Sequence, residues 1–232
     1  MSERRNAFGT AVRHDRRLPV RAVVFDLLTG LLDSWSLWDA VAGDAETGRR
    51  WRRGYLELTY GVGRYAPYEE LVARATERAG LEPGRARELI ARWDELEPWP
   101  EAPDALRTLR TDGITLVVAT NCSTALGRRA AARVGVDFDA VVIAEEVGWL
   151  KPRPEMYRAA LAAAGAAASE ALFLAGSPGD VGGASAVGIP VVWHNRAGLP
   201  PRDGDPEPLA EIASLEALPA LARRQELSRR TR

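Results

Sequence analysis

The sequence predicts an α/β fold, a Rossmann-like parallel sheet core with an inserted α-helical cap. Five short apolar runs rich in β-branched residues alternate with helical segments, as in a parallel sheet covered on both faces. Glycines follow several of these helical segments, where they commonly end helices. The predicted strands are Val20–Phe25, Ile114–Ala119, Ala140–Ala144, Leu172–Ala175 and Ile189–Trp193. The predicted helices between them are Ala102–Arg110, Thr124–Val134, Pro154–Ala164 and Asp180–Val187.

The region 34–97 breaks this alternation because it contains no strand-like run. It is rich in Trp and Tyr, and apolar residues recur at helical spacing in it, for example at Leu71 and Ala75 and again at Ala86 and Leu89. We therefore predict a helical cap at 34–97 and an α/β core formed by 18–33 and 98–223. The Arg-rich ends, 1–17 and 224–232, are predicted to be disordered basic tails.

Composition narrows the classes of function. The net charge of −1 gives no overall attraction to nucleic acid or to a membrane surface, and no apolar run approaches the roughly 20 residues of a membrane span. The single cysteine, Cys122, permits no disulfide within the chain and fits a reducing compartment, so we expect a cytoplasmic protein. A Cys-His hydrolase is disfavoured, because His14 lies in a tail and His194 follows a different strand.

Polar side chains collect where the predicted strands end. In an open parallel sheet the carboxyl ends of the strands share one edge, and ligands bind there. An acid, a base, hydroxyls and an amide would therefore meet without being neighbours in sequence, which predicts a functional site. These residues are Asp26, Thr120, Asn121, Lys151, Ser177 and Asp180.

Four segments carry a resemblance to the haloacid dehalogenase superfamily. They are VVFDLLTGLLD around Asp26, VVATNCS around Thr120, VGWLKPRPEMY around Lys151 and LFLAGSPGD around Asp180. They occur in the order of the family's four motifs. In the predicted cap, WRRGYLELTY resembles the corresponding segment of the (S)-2-haloacid dehalogenases, and the later VVWHNRAG resembles a core segment of the same relatives.

The resemblance implies a hydrolase that attacks a small 2-haloacid with Asp26 and forms an aspartyl ester. It implies that Arg52 and Asn121 bind the departing halide, that Lys151 orients Asp26, and that water near Asp180 hydrolyses the ester. Backbone N–H groups of the Asp26 turn are expected to bind the substrate carboxylate with Thr120, and Trp51, Tyr55 and Tyr60 to form an apolar wall. We predict Asp26, Lys151, Asp180 and Arg52 as catalytic residues and Thr120, Asn121, Tyr157, Ser177 and Thr29 as substrate-binding residues. No metal and no cofactor are expected.

Two departures separate the chain from the superfamily's Mg²⁺-dependent phosphatases. Phosphatases carry an Asp two residues after the nucleophile, which protonates the leaving alkoxide, and Leu28 occupies that position. Their second Mg²⁺ carboxylate in the fourth motif is replaced by Gly176. A halide leaves without a proton and needs neither group.

The chain also departs from the dehalogenases. Leu28-Thr29-Gly30 stands where they have an aromatic residue followed by Gly-Thr, and Ala175-Gly176-Ser177 replaces their Ser-Ser-Asn. Two alternatives stay open. One is an Mg²⁺-dependent phosphatase whose acid is Asp33 or Asp39, and the other is a non-catalytic descendant that binds a small anion or a protein partner. The expected partners are a small anionic substrate and a second copy in a homodimer through the cap, with no nucleic acid and no membrane.

Overall fold

The computed structural model describes residues 20–227, and the side chains of residues 20–223. Its centre is a six-stranded, all-parallel sheet with the strand order β3-β2-β1-β4-β5-β6. The strands are β1 Ala22–Asp26, β2 Thr115–Thr120, β3 Ala140–Ile143, β4 Ala171–Ala175, β5 Val191–His194 and β6 Ala210–Ile212. This arrangement confirms the predicted α/β fold class.

Strand β1 lies in the middle of the sheet and is buried along its whole length. Its register pairs Asp26 with Ala119 of β2 and Phe25 with Leu174 of β4. Three strands that are far apart in sequence therefore end at the same level. This alignment brings the polar residues that follow them to one edge.

Helices of the core cover the two faces of the sheet. They are α5 Ala102–Thr111, α6 Thr124–Arg133, α7 Ala144–Val147, α8 Pro154–Ala164, α9 Pro178–Ser185 and α10 Leu218–Leu227. Helix α8 begins with Pro154, whose missing N–H costs nothing in a first turn. Gly165 caps its end in the left-handed conformation. Buried side chains of these helices pack against the apolar strands in one continuous core.

Four helices lie between β1 and α5, where the sequence predicts only helical structure. They are α1 Ser34–Ala42, α2 Ala45–Val62, α3 Tyr68–Arg78 and α4 Gly84–Ala91. Tilted and edge-to-face aromatic pairs with centroids 4.4–5.5 Å apart connect α1, α2 and α3 to one another and to the segment after α4, and they involve Trp38, Trp51, Tyr55, Tyr68 and Trp93. We propose that these helices form the cap predicted at 34–97.

Several details differ from the sequence-based expectation. Strand β6 was not predicted, because its three residues at the sheet edge form no apolar run. Ala144 begins α7 instead of ending β3, and α9 begins at Pro178, so Asp180 lies in its first turn and does not open it. Helix α10 continues through residues 224–227 into the predicted basic tail, whereas the predicted tail at 1–17 lies outside the described residues. Between residues 20 and 227, no helix is both long and apolar enough to cross a membrane.

Candidate active site

Asp26 ends β1 and is held by the turn that follows it. Its Oδ2 accepts hydrogen bonds from the Thr29 N–H at 3.0 Å, the Thr29 hydroxyl at 2.6 Å and the Gly30 N–H at 2.9 Å. Its Oδ1 accepts from Lys151 Nζ at 2.6 Å. Burial alone would raise the pKa of Asp26, but the charge of Lys151 and these hydrogen bonds outweigh it, and the pKa lies below its ordinary 3.8. The carboxylate is therefore ionised at neutral pH.

Thr29 reaches Asp26, the predicted nucleophile, although it comes one position earlier than in the dehalogenases. The N–H groups of Thr29 and Gly30 bond to Asp26, so of the turn's N–H groups these two do not bind a substrate carboxylate, and the predicted cradle is limited to the others. Oδ2 with three donors is saturated, whereas Oδ1 has one donor and retains a lone pair. Oδ1 is thus the oxygen that is available for attack on a substrate.

Two residues behind this turn were not predicted as part of the site. The Trp99 indole N–H donates to the Thr29 carbonyl at 3.3 Å, and His194 Nδ1 lies 2.9 Å from the Gly30 carbonyl. Burial lowers the pKa of His194, and the two rings contact each other edge to face. Trp99 and His194 thus hold the backbone of Thr29 and Gly30, whose N–H groups bond to Asp26. Trp99 lies in a loop and His194 ends β5, and which backbone groups their rings meet depends on the conformation of the turn after Asp26.

Lys151 is the only lysine of the chain and lies buried between two carboxylates. Its Nζ bonds to Asp26 Oδ1 at 2.6 Å and to Asp180 Oδ2 at 3.1 Å. Burial alone would lower the pKa of Lys151, but the two carboxylates outweigh it and raise the pKa to about 12. The ammonium stays charged and aligns both acids.

Asn121 holds the lysine's backbone in place. Its Oδ1 accepts from the Lys151 N–H at 2.7 Å, and its Nδ2 donates to the Lys151 carbonyl at 3.0 Å. Asn121 also lines the cavity, so its second Nδ2 hydrogen remains for a ligand. The predicted ligand-contacting amide therefore also positions Lys151.

Asp180 is the second acid of the site and is fully buried in the first turn of α9. Its Oδ1 accepts from the Tyr157 hydroxyl at 2.7 Å, and its Oδ2 accepts from the Ser177 hydroxyl at 3.3 Å as well as from Lys151. Burial and the Asp26 charge raise the pKa of Asp180 against the opposing effect of Lys151. The two carboxylates thus have pKa values shifted in opposite directions, a pattern typical of a nucleophile paired with a base.

Arg52 projects from α2 of the cap and is 1% exposed. Its Nε and Nη1 are buried and have no hydrogen-bond partner, and no ion pair of Arg52 occurs among the described residues. The guanidinium lies over the Trp38 ring at 4.9 Å and the Tyr55 ring at 5.1 Å. A buried cation without a carboxylate is costly unless an anion binds to it.

One narrow cavity joins most of the predicted residues. Its walls include Asp26, Thr29, Arg52, Thr120, Asn121, Lys151, Ser177 and Asp180. Tyr157 does not line it and lies behind Asp180. The space that these walls leave for a ligand is about 30 Å³, so the cavity is narrow and suits only a small ligand.

The expected apolar wall is partly wrong. Tyr55 and Tyr60 line the cavity, together with Leu28 and Leu56, but Trp51 does not, because it packs against Trp38 inside the cap. Helical spacing alone could not place Trp51, since the orientation of α2 against the core decides which of its aromatic residues reach the site.

Gly176 contacts the turn that follows Asp26. A Cβ at this position would lie 2.2 Å from the Gly30 nitrogen and 2.4 Å from the Thr29 Oγ1. The backbone at Gly176, directly after β4, is therefore too close to the turn after β1 for any side chain to fit at this position. An Mg²⁺-binding carboxylate cannot replace Gly176 here without displacing the turn that holds Asp26.

This contact predicts the effect of Gly176→Ala. The added methyl group must displace the turn, so the free energy of unfolding, measured by urea denaturation, is expected to fall by about 2–3 kcal/mol. Gly54→Ala is the matched control, because Gly54 lies in α2 and a Cβ there would meet no atom within 4 Å, so this variant should be neutral or slightly stabilising. Equal stability of Gly176→Ala and the wild-type chain would show that the turn tolerates a side chain.

Three other candidate groups lie outside the cavity walls. Asp33 caps α1 by accepting from the Ser36 N–H at 3.1 Å. Asp39 lies beside Arg49 and Gly48 within the cap. Cys122 is buried, accepts from the Thr120 hydroxyl at 3.3 Å, and burial raises its pKa to about 12, so its thiol is neutral. None of the three is placed to act on a ligand next to Asp26.

Known proteins agree with this architecture. A family model described as haloacid dehalogenase-like hydrolase matches residues 20–188. Haloacetate dehalogenase H-2 of Moraxella sp. (strain B) is 30% identical over 78% of this chain and 88% of its own length. Phosphoserine phosphatase of Thermus thermophilus is 35% identical over 77% of this chain and 75% of its own. A solved L-2-haloacid dehalogenase superimposes with a TM-score of 0.78 and 26% identity over 89% of this chain and 100% of its own. The chain belongs to the haloacid dehalogenase-like hydrolase family, which confirms the predicted resemblance.

Proposed function

We propose that the chain hydrolyses the carbon–halogen bond of a small 2-haloacid through an ester on Asp26, without a metal or other cofactor. The observation that carries this proposal is Arg52, a buried guanidinium that lines the cavity of an ionised carboxylate and has no acidic partner among the described residues. A departing halide needs a cation of this kind and no proton donor. The dehalogenases among the relatives support the same substrate class.

The first step forms the ester. Asp26 Oδ1 attacks the carbon that bears the halogen, the new C–O bond forms, and the C–X bond breaks with its electron pair leaving on the halide. Arg52 stabilises the halide, with the remaining Nδ2 hydrogen of Asn121 as a second donor. Lys151 keeps Asp26 ionised and oriented until the attack.

The second step hydrolyses the ester. A water molecule attacks Cγ of Asp26, and its proton passes to Asp180, whose raised pKa makes it the better proton acceptor of the two acids. The C–O bond between Cγ and Oδ1 breaks, the leaving alkoxide takes the proton from Asp180 to give the 2-hydroxy acid with Oδ1, Asp26 regains its carboxylate with the water oxygen, and the second proton of the water goes to solvent. Tyr157 and Ser177 hold Asp180, and Thr120 and Thr29 line the same cavity, where they are proposed to contact the substrate carboxylate.

The residues present do not fit the phosphatase alternative, despite the phosphatase among the relatives. Leu28 lines the cavity where an acid would protonate an alkoxide, and neither Asp33 nor Asp39 replaces it there. Both cavity carboxylates bond to Lys151 Nζ, and Gly176 leaves no room for another. This donor set does not suit Mg²⁺, which prefers several carboxylate and water oxygens.

A single turnover in ¹⁸O-water tests the proposal. With the protein in excess over 2-chloropropionate, the lactate formed should contain ordinary oxygen, and mass spectrometry of the peptide with Asp26 should show one ¹⁸O atom. Label in the first-turnover lactate would exclude the ester. Release of phosphate from phosphoesters, dependent on Mg²⁺ and without any halide release, would instead support a phosphatase.

A further inference from the structure

Tyr60 connects the cap to the core at the edge of the reaction cavity. It lies in the last turns of α2 and lines the cavity together with Ser177 and Asp180. Its hydroxyl accepts from the Gly179 N–H in the first turn of α9 at 3.3 Å. Among the described side chains of the cap, that of Tyr60 is the one that forms a hydrogen bond with α9.

The ring of Tyr60 is held on two sides. A Cβ at Gly179 would lie 2.3 Å from Tyr60 Cε1, so the ring rests directly on the backbone of α9. The Arg202 guanidinium lies over the same ring at 5.0 Å. The loop that carries Arg202 is itself packed on α9, because a Cβ at Gly182 would lie 2.3 Å from Asp205 Oδ1. The ring therefore has little freedom to move away.

A second cavity lies beyond this ring. It is larger than the reaction cavity, at about 520 Å³, and its walls include Pro178, Val181, Trp193 and Arg202. Arg202 contacts Tyr60 from this outer cavity, and Tyr60 lines the reaction cavity. The phenol ring is thus a wall of one cavity and is in contact with a wall residue of the other.

We propose that Tyr60 determines the substrate's size by closing the reaction cavity toward the outer cavity. This inference rests on the proposed function, since it concerns the alkyl chain of the carboxylic acid that Asp26 attacks. The wild-type chain accepts acids of two or three carbons, and longer chains meet the ring. Removal of the ring opens a path in which additional methylene groups can pack against Val181 and Trp193.

Binding of unreactive acids tests this independently of catalysis. The dissociation constants of propionate and hexanoate are measured by NMR titration for the wild-type chain, Tyr60→Ala, Tyr60→Leu and Tyr60→Phe. Each buried methylene strengthens binding by about fourfold at most. Hexanoate should therefore bind Tyr60→Ala at least about tenfold more tightly than it binds the wild-type chain, with propionate nearly unchanged. Tyr60→Leu should give an intermediate gain, and Tyr60→Phe, which keeps the ring, should keep the wild-type preference.

The outcomes separate the two proposals. An unchanged ratio of the two constants in folded Tyr60→Ala and Tyr60→Leu overturns the size limit and leaves the proposed function intact. A wild-type chain that binds neither acid contradicts the substrate class, and the size limit with it. If Tyr60→Phe already accepts hexanoate, the hydrogen bond to Gly179 holds the barrier in place and the ring alone does not form it, which also contradicts the proposal as stated.

Discussion

Asp26→Asn is expected to lower the rate of halide release from 2-chloropropionate by more than about 10⁴-fold. The amide is nearly the same size but has no negative charge, and its nitrogen cannot attack carbon as a carboxylate oxygen does. Halide release is followed with an ion-selective electrode, and covalent adducts are sought by intact-protein mass spectrometry. No ester should form on the variant.

Asp33→Asn is the matched control, because Asp33 is a carboxylate seven residues further along that caps α1 and does not line the cavity. It should retain activity within about threefold. Turnover by Asp26→Asn at more than a hundredth of the wild-type rate would rule out Asp26 as the nucleophile and leave water activated by another group as the mechanism.

Lys151→Met is expected to cost about 3–5 kcal/mol in the free energy of unfolding at pH 7, because it leaves two buried carboxylates without their shared cation. Urea denaturation measures this loss. Arg128→Met is the control, because the pair of Arg128 with Glu146 is exposed, and removing it should cost less than about 1 kcal/mol. A loss as small as that of the control would mean that the buried pair contributes nothing to stability.

The same variant should change the dependence of activity on pH. In the wild-type chain the pKa of Asp26 is lowered. The ionised carboxylate therefore contributes fully to the free energy of unfolding above pH 3.8, and this contribution is lost as the pH falls through the lowered value. The pKa of Lys151 is raised to about 12, so its contribution is complete below pH 10.5 and is lost as the pH rises through about 12. Without Lys151, burial raises the pKa of Asp26, and the acid limb of the rate profile should move to higher pH. An unmoved acid limb would contradict this role of Lys151.

The meeting of Asp26, Lys151 and Asp180 could be predicted from the sequence, because parallel strands end at one edge and the residues after them must converge. The role of Thr29 could not be settled in this way. Thr29 was predicted to bind the substrate and stands one position earlier than in the dehalogenases, and the turn conformation brings its hydroxyl to Asp26.

The contacts of Trp99 and His194 with the turn after Asp26, and of Tyr60 with α9, were also beyond sequence reasoning, although Tyr60 was predicted as part of the apolar wall. Each acts across a distance that a loop or the orientation of the cap determines, and a buried aromatic residue looks the same in sequence whether it packs in a core or braces a site. Among the cap aromatics, Trp51 and Tyr60 were predicted alike to line the site, yet Tyr60 reaches it and hydrogen-bonds to α9, whereas Trp51 packs inside the cap.

Lys151 is the only lysine of the chain, since its other basic side chains are arginines and two histidines. Growth on lysine labelled with ¹⁵N in its side chain would therefore label one side-chain nitrogen, and that nitrogen lies between Asp26 and Asp180. Its ammonium signal would require no assignment. Titration, ligand binding and ester formation could each be followed from that one resonance, as the negative charge on its two neighbours changes.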